Sequence, residues 1–353
     1  MAQIDALLEE VLKRKGSDLH LIAGDPPRVR RYGDLMPLRD EPLTPDFVKT
    51  ALYEIMPRKA IERFEAHDGA DFAYALADHG RFRVNVLRQI AGMGAVFRAI
   101  PSCALTLEQL KMPPAVHELC RASNGLILVT GKTGSGKSTS LAAMIDEINK
   151  RIKGHIITVE DPIEFVHPRH NCLISQREIG THTPSFSSAL LSALREDPDV
   201  ILVGELRDLE TMSTAITAAE MGILVMATLH TNGAAPTVDR MVNAFPSDKQ
   251  SHVRTMLSTS LRGVISQQLL QRADGQGRVA ALEILVNTPA SANLIRQGKL
   301  DQIETVMQSG GALGMRTMDM AIQQLYDQSL ISGAEAYKKG INKARFEPLK
   351  DAR

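Results

Sequence analysis

The sequence predicts an α/β protein with a parallel sheet covered by helices and a smaller α/β domain in front of it. Three observations support this fold class. The chain has 353 residues, more than most single domains hold. From Gly125 onward, short apolar runs alternate with helix-length segments, whereas the first hundred residues contain strand-like runs separated by glycine-containing turns.

The N-terminal region, residues 1–100, predicts one helix, a strand, a second helical stretch and a meander. Ile4, Leu7, Leu8 and Val11 share one helix face. A strand signal follows in "SDLHLIAG", and residues 45–66 have helical spacing. The meander is predicted from the runs "ADFAYALA", "GRFRVNVLRQ" and "MGAVFRAI".

Residues 101–114, "PSCALTLEQLKMPP", are bracketed by prolines and are predicted to be a hinge linker. Residues 115–353 form the predicted second domain. Its near-continuous apolar runs are "GLILVT", "HIITVED", "DVILVGE" and "LVMATLH", and such runs suit strands buried on both faces. The last third, roughly 247–345, predicts mainly helices, with one candidate strand pair in "GRVAALEILVN".

Composition limits the classes of partner. Lys plus Arg and Asp plus Glu both number 41, and aromatic residues are few, so a nucleic-acid surface is not expected. The three cysteines are widely spaced, which argues for a reducing compartment and against a zinc site. Since no apolar run approaches the length that spans a bilayer, we expect a cytoplasmic protein without a transmembrane segment.

A phosphate-binding loop follows the first predicted strand of the second domain. Residues 131–138, "GKTGSGKS", fit the pattern G-x-x-x-x-G-K-[ST] between a strand and a helix. Glycines let main-chain N–H groups surround a phosphate, Lys137 reaches the terminal phosphates and the Ser138 hydroxyl binds Mg²⁺. The sequence therefore predicts ATP and Mg²⁺ as ligands, with these nucleotide-binding residues: Gly131, Lys132, Thr133, Gly134, Ser135, Gly136, Lys137, Ser138 and Thr139.

Acidic residues end two further apolar runs. Glu160 and Asp161 follow "HIITV", and Glu205 follows "DVILVG". The carboxyl edge of a parallel sheet is where such folds bind ligands, so we expect these acids beside the phosphates. His230 ends a fourth run and is predicted to sense the terminal phosphate. The alternatives are surface acids at strand ends and a structural histidine.

These motifs together resemble the secretion-superfamily ATPases, and most closely the PilT type, which retracts type IV pili. The resemblance rests on the phosphate loop, "TVEDPIEFVH", "LREDPDVILVGELRDLET" and "ATLHTN", with "GSDLHL", "GRFRVN" and "NLIRQGK" also fitting. It implies a homo-hexamer of subunits with a PAS-like N-terminal domain and a RecA-like ATPase domain. It also implies that Glu160 is the catalytic glutamate, Glu205 the Walker B acid acting on Mg²⁺ and His230 the histidine-box residue.

The resemblance further implies the biological setting. Such a motor hydrolyses ATP to depolymerise the pilus in twitching motility. It works at the cytoplasmic face of the inner membrane against a platform protein, with the pilin fibre as its load.

Arginines are expected to neutralise the charge that develops on the transferred phosphoryl group. The two-residue period of "GRFRVN" puts Arg83 on the face opposite Phe82. Arg83 and Arg98 are predicted to act from the adjacent subunit, because PilT-type enzymes use arginines of this domain. Arg195 and Arg207, which flank the Walker B strand, could serve instead, and any one of the four could be a solvated side chain.

Two departures from the family pattern are visible. Lys132 stands where PilT-type loops usually carry proline, and Ser291 to Asn293 stand where part of a retraction-linked A-I-R motif would lie, although Leu294, Ile295 and Arg296 remain. An accessory PilU-type ATPase is therefore an alternative.

Three other functions compete with retraction. Pilus-assembly and type II secretion ATPases typically have a longer N-terminal region and a four-cysteine zinc motif, neither of which this sequence has. A RecA-type nucleic-acid translocase is disfavoured by the balanced charge. A scaffold that binds ATP without hydrolysing it is disfavoured by the presence of Glu160, Glu205 and His230.

Overall fold

Two compact units make up the chain in a computed structural model that describes residues 2–31, 34–76, 80–100 and 104–350. The first unit comprises Met1–Cys103 with Glu164–Val166. The second unit comprises Ala104–Ile163 and His167–Arg353.

The first unit contains a six-stranded antiparallel sheet in the order β3-β2-β1-β6-β5-β4. Its strands are β1 (Asp18–Ile22), β2 (Arg28–Arg31), β3 (Asp34–Pro37), β4 (Gly69–Leu76), β5 (Gly80–Gln89) and β6 (Gly92–Ile100). Its helices are α1 (Asp5–Lys13), α2 (Pro45–Ile55) and α3 (Arg58–His67). The meander and α1 are confirmed, but β2 and β3 were not predicted.

Residues 45–66 form two helices instead of the single stretch predicted. Met56 is extended, with φ −71° and ψ 125°, and Pro57 precedes α3. The residue before a proline is driven out of the helical region, so the chain turns there. The apolar faces of the helices pack on the sheet around Phe64, Phe82 and Phe97, each almost completely buried.

The second unit contains a seven-stranded sheet in the order β13-β12-β7-β11-β10-β8-β9. All pairs are parallel except β12 with β13. The strands are β7 (Gly125–Thr130), β8 (His155–Glu160), β9 (Leu173–Glu178), β10 (Val200–Val203), β11 (Leu224–Leu229), β12 (Leu261–Gln271) and β13 (Arg278–Val286).

Helices of the second unit pack on both faces of this sheet. They are α4 (Pro114–Cys120), α5 (Lys137–Arg151), α6 (Phe186–Ala193), α7 (Leu209–Glu220), α8 (Ala234–Asn243), α9 (Ser247–Ser260), α10 (Pro289–Gln297), α11 (Ile303–Ser309), α12 (Met318–Asp327), α13 (Gly333–Lys339) and α14 (Lys343–Phe346). Short 3₁₀ helices cover Leu300–Gln302, Gly311–Leu313 and Glu347–Leu349.

The central strand β7 shows why the apolar runs predicted this architecture. Leu126 and Leu128 belong to the core on one face of the sheet, while Ile127 and Val129 belong to the core on the other. All four are 0% exposed. Because successive side chains of a strand point to opposite faces, only a sheet covered on both sides can bury such a run.

The strand pair predicted in "GRVAALEILVN" is located differently in the structure. That run forms the single strand β13, and its antiparallel partner is the unpredicted strand β12, residues 261–271, which lies between β7 and β13. The stripe of Met318, Ile322 and Leu325 on α12 is core, as predicted, and packs with Phe346.

The predicted hinge linker, residues 101–114, lies partly outside the described residues, which resume at Ala104. From there the segment belongs to the second unit. Leu107 and Met112 are 1% and 8% exposed and pack in that unit's core.

Among the described residues, none of the helices combines the length and the apolar character that crossing a membrane requires.

His167 is a titratable side chain buried in the second unit. It is 7% exposed, and within the described part of the chain its Nδ1 atom has no hydrogen-bond partner. Desolvation lowers the pKa of His167 to about 4, against a smaller opposing effect of Asp146. In the unfolded chain the pKa returns to about 6.5, so the unfolded state takes up a proton first as the pH falls. The free energy of unfolding therefore decreases between about pH 6.5 and pH 4.

We expect His167→Gln to remove this acid sensitivity. Between pH 7.5 and pH 5, the parent protein should lose about 2 kcal/mol of unfolding free energy relative to the variant. Urea denaturation followed by circular dichroism measures the difference at each pH. His252→Gln, which removes an exposed imidazole from α9, is the control. If the parent and His167→Gln lose the same unfolding free energy between pH 7.5 and pH 5, the acid sensitivity does not come from His167.

Candidate active site

The loop between β7 and α5 has the backbone that a phosphate-binding loop requires. Gly131 and Gly136 have φ of 140° and 89°, and α5 begins directly afterwards at Lys137. A Cβ on Gly131 would clash with the carbonyl oxygen of Gln267, and one on Gly136 would lie 2.7 Å from the Nε2 atom at the end of the Gln267 side chain. Gly131 therefore needs glycine for conformation and for space, whereas Gly136 needs it for its positive φ.

Lys137 lies inside this loop. Its side chain is nearly buried, and Nζ donates to the carbonyl oxygens of Gly131 at 2.9 Å and Lys132 at 3.3 Å. The Ser135 hydroxyl is also buried and has no hydrogen-bond partner among the described residues. Lys132, Thr133 and Gly134, at the tip, are exposed, and the half-buried pair Ser138 and Thr139 lies in the first turn of α5. All nine predicted nucleotide-binding residues thus lie in one loop and the first turn of α5.

Glu160 and Glu205 come from neighbouring parallel strands. Val159 and Val203 are paired residues of β8 and β10, so Glu160 ends one strand where Gly204 and Glu205 leave the next. The N–H of Gly204 donates to the Val159 carbonyl at 2.7 Å. Glu160 is half-buried and accepts hydrogen bonds from the Thr158 hydroxyl at 2.7 Å and from Gln176 at 3.4 Å. The carboxylate is thus held at the edge of the sheet.

Glu205 is the centre of a charge cluster. Its Oε1 atom lies 3.1 Å from Nε2 of His230, and its Oε2 atom accepts from Nε of Arg207 at 2.7 Å. The hydrogen bond to Glu205 raises the pKa of Arg207. A second, longer ion pair of 4.0 Å joins Arg207 to Asp161. The structure therefore brings together Glu205, His230 and Arg207, with Asp161 beside them.

Arg195 does not join this cluster. It follows α6, is exposed, and its guanidinium makes no ion pair within the described residues. The adjacent Glu196 instead holds Arg177, with both carboxylate oxygens 2.7 Å from one guanidinium nitrogen.

Arg83 and Arg98 lie on the first unit and face each other across β5 and β6. Both are on the exposed face, whereas Phe82 and Val84 are 0% exposed on the other, as the two-residue period predicted. Arg98 donates to Asp18 at 2.9 Å, but the ion pair of Arg83 with Asp71 is longer, at 4.0 Å. Like charges directly opposite each other are unfavourable, and the two acids offset that repulsion.

A cavity of about 720 Å³ opens beside the phosphate loop in the second unit. Gly136, Thr139 and Ser140 form one side, and Met112 and Pro113 line it as well. Gln267 also lines the cavity, and its Oε1 atom accepts a hydrogen bond from the Ser140 hydroxyl of α5 at 2.7 Å. Sequence reasoning had predicted Gly136 and Thr139 but missed Ser140, Gln267, Met112 and Pro113, since a glutamine in a strand and a proline-rich segment carry no recognisable signal.

Known proteins match both the sequence and the structure. A family model described as "Type II/IV secretion system protein" matches residues 1–344. The chain is 50% identical over 336 residues to the "Type IV pilus retractation ATPase PilT" of Pseudomonas aeruginosa, covering 95% of this chain and 97% of that protein. It is 40% identical over 334 residues to the "Type IV pilus ATPase PilU" of the same organism, covering 95% and 87%.

A solved structure titled "Crystal Structure of the Pilus Retraction Motor PilT and Bound ADP" matches with a TM-score of 0.91 and 44% identity, covering 99% of this chain and 100% of that one. The predicted fold class, a RecA-like ATPase domain with a smaller N-terminal PAS-like α/β domain, and the predicted resemblance are confirmed by these matches. This chain therefore belongs to the type II/IV secretion system protein family.

Proposed function

We propose that this chain is a hexameric ATPase that drives retraction of type IV pili, acting at the cytoplasmic face of the inner membrane. The observation that carries the proposal is the Glu205 cluster with His230 and Arg207, set at the sheet edge that also bears Lys137 and Glu160. Family membership and 50% identity to a pilus retraction ATPase supply the biological setting. The platform protein and the pilin fibre are the partners we propose.

The loop fits a nucleotide phosphate. Gly131 and Gly136 have positive φ, a Cβ on Gly131 would clash with the backbone of Gln267, and the buried Ser135 hydroxyl has no hydrogen-bond partner within the described structure. The related pilus retraction motor was solved with ADP bound. We assign the phosphates of ATP to the main-chain N–H groups of 131–138 and to Lys137.

Ser138 and Glu205 would hold Mg²⁺, because both offer the oxygen ligands that this ion prefers. Bound there, the ion would neutralise charge on the phosphates. Glu205 engages His230 and Arg207 through one oxygen each, and a carboxylate has further lone pairs for another ligand.

Glu160 is the residue that we propose orients the attacking water. Its hydrogen bonds from Thr158 and Gln176 hold the carboxylate at the carboxyl end of β8, and a carboxylate held in this place can serve as general base toward a water molecule. His230 would read the terminal phosphate, since its imidazole is held by Glu205 yet is 45% exposed. The guanidinium of Arg207, whose side chain is 60% exposed, could supply positive charge to the same terminal phosphate.

Arg83 is the better of the two candidates for a cation supplied by a neighbouring subunit. Arg98 donates a 2.9 Å hydrogen bond to the nearly buried Asp18, and moving Arg98 would leave that carboxylate with its hydrogen bond from Ser17 but without this ion pair. The 4.0 Å pair of Arg83 with Asp71 joins two half-exposed side chains and is weaker. Arg195, exposed and without an ion pair in the described residues, stays a second candidate.

Segment 101–114 is the proposed hinge through which ATP binding biases the angle between the two domains. Since Leu107 and Met112 are core residues of the second unit, we expect the part from Ala104 onward to move with that unit.

Primary retraction is favoured over an accessory PilU-type role. The identity to the PilT protein is 50%, against 40% to PilU of the same organism. The departure at Ser291 also has a structural explanation. Its hydroxyl accepts from the N–H of Thr288, whose own hydroxyl accepts from the N–H of Ser291, and this reciprocal capping starts α10.

Glu160→Gln should separate ATP hydrolysis from ATP binding. Loss of the base should lower turnover by about 10²-fold or more, while calorimetry should find magnesium-dependent ATP binding within about twofold of the parent. Glu210→Gln, an exposed position on α7, is the matched control. Parent-like phosphate release by Glu160→Gln would remove Glu160 from the site. Absence of release from the parent itself would favour the scaffold function.

Arg83→Ala should reduce ATP turnover by about 10³-fold without dissociating the hexamer, because an arginine supplied across subunits acts on the transition state. Phosphate release and size-exclusion chromatography with light scattering measure the two properties. Arg88→Ala is the control, since it removes a partly exposed charge from the same strand. Unchanged turnover of Arg83→Ala would exclude this arginine and direct attention to Arg195.

Deletion of the gene in its native host should give hyperpiliated cells without surface motility. A retraction motor removes fibre, so its loss leaves pili extended. Electron microscopy of pili and a twitching assay measure the result, with complementation by the parent gene as the control. Bald cells would instead identify an assembly ATPase, and a defect only in combination with loss of another retraction ATPase would identify an accessory one.

A further inference from the structure

Glu283 is an acidic side chain buried within β13. It is 5% exposed, and both of its oxygens accept main-chain hydrogen bonds. Oε1 accepts from the N–H of Ala234 at 2.6 Å, and Oε2 accepts from the N–H of Met318 at 3.0 Å. Burial raises the pKa of the Glu283 carboxyl, and the two main-chain N–H donors oppose that rise.

The two donors are the first residues of two helices, α8 and α12. First-turn N–H groups have no partner within their helix, and the positive end of the helix dipole lies there. Glu283 therefore satisfies two such groups at once. Of the two helices, α8 matters for the chemistry, because only residues 231–233 separate it from His230.

Ser266 completes the attachment. It is the residue opposite Glu283 in the antiparallel pair of β12 and β13. Its buried hydroxyl accepts from the N–H of Gly233 at 2.8 Å, so two consecutive N–H groups after His230 are bound by two neighbouring strands. The next residue of β12, Gln267, bonds to Ser140 on the helix of the phosphate loop.

The segment between His230 and α8 is also braced internally. Thr237 donates to the carbonyl oxygen of Gly233 at 2.6 Å, and its hydroxyl lies 2.7 Å from that of Thr231. The segment is consequently fixed as one piece, and its position relative to the sheet is set by Glu283 and Ser266.

We propose that Glu283, with Ser266, is a positioning residue for His230: by anchoring Gly233 and Ala234 to the sheet, it sets where the imidazole stands against Glu205. The inference rests on the proposed function in one respect, that His230 takes part in hydrolysis. Glu283 itself reaches neither phosphate nor water in this assignment.

The test is a double-mutant cycle in the full-length protein with Glu283→Gln and His230→Ala. The glutamine amide keeps the size of the side chain but turns an NH₂ donor toward one of the two N–H groups. We expect kcat to fall about tenfold or more, because small displacements of a reacting group are costly, with the Kd for ADP within about twofold. In the His230→Ala background, Glu283→Gln should change kcat by less than about twofold.

A purely structural role gives a different pattern. Equal losses from Glu283→Gln in the two backgrounds, or no loss in either, overturn the proposal. His230→Ala with full turnover rejects the role of His230 itself, and the inference falls with it. If His230→Ala lowers kcat but Glu283→Gln does not, the proposal for Glu283 is wrong while the role of His230 in hydrolysis stands.

Two further variants protect the test. Ser266→Ala removes only the acceptor of the Gly233 N–H, and it should show the same dependence on His230 even if Glu283→Gln misfolds. If Ser266→Ala lowers kcat by the same factor in the parent and in the His230→Ala background, the proposal is contradicted. Glu335→Gln is the matched control, since Glu335 also accepts a main-chain N–H, that of Gln271 at 3.1 Å, but on α13 and outside the candidate site. It should leave kcat unchanged.

Discussion

The carboxyl ends of four parallel strands must meet at one edge of the sheet, and the candidate site depends on this constraint. Hydrogen-bond register pairs Val129 with Thr228 and Val159 with Val203, so the residues that follow these strands emerge in a row. Neighbouring strands lie about 4.8 Å apart. A loop bearing Lys137, two carboxylates and an imidazole is therefore assembled by backbone pairing before any side chain makes a contact.

Charge within this row is balanced around Glu205. One carboxylate serves an imidazole and a guanidinium, and the guanidinium extends to Asp161. Such a network keeps its cations in place at the edge of the sheet, where a phosphate can compete for them. Because the side chains of Arg207, His230 and Asp161 are 60%, 45% and 44% exposed, these ion pairs contribute little to stability, and their convergence at one carboxylate is not explained by packing.

The sequence predicted the elements whose pattern is local. Continuous apolar runs predicted β7, β8, β10 and β11, and the glycine pattern predicted the loop. It did not predict β12, which carries Ser266 and Gln267 at 1% and 3% exposure. Polar residues in a core are tolerated when each finds a partner, here Gly233 and Ser140. Those partners are distant in the chain, so nothing in a window around them distinguishes buried glutamine from exposed glutamine.

Partners that are distant in the chain also distinguish Arg83 from Arg98 in the first unit. Alternation along β5 predicted the face of Arg83 correctly, but the partner of Arg98 is Asp18, from a strand 80 residues earlier in the sequence. Only the folded sheet places that acid, at 6% side-chain exposure, against the guanidinium. Withdrawing Arg98 would leave a nearly buried carboxylate without its charge partner, whereas Arg83 gives up only a long pair in water. Two arginines that look equivalent in the sequence therefore differ in what it costs to move them.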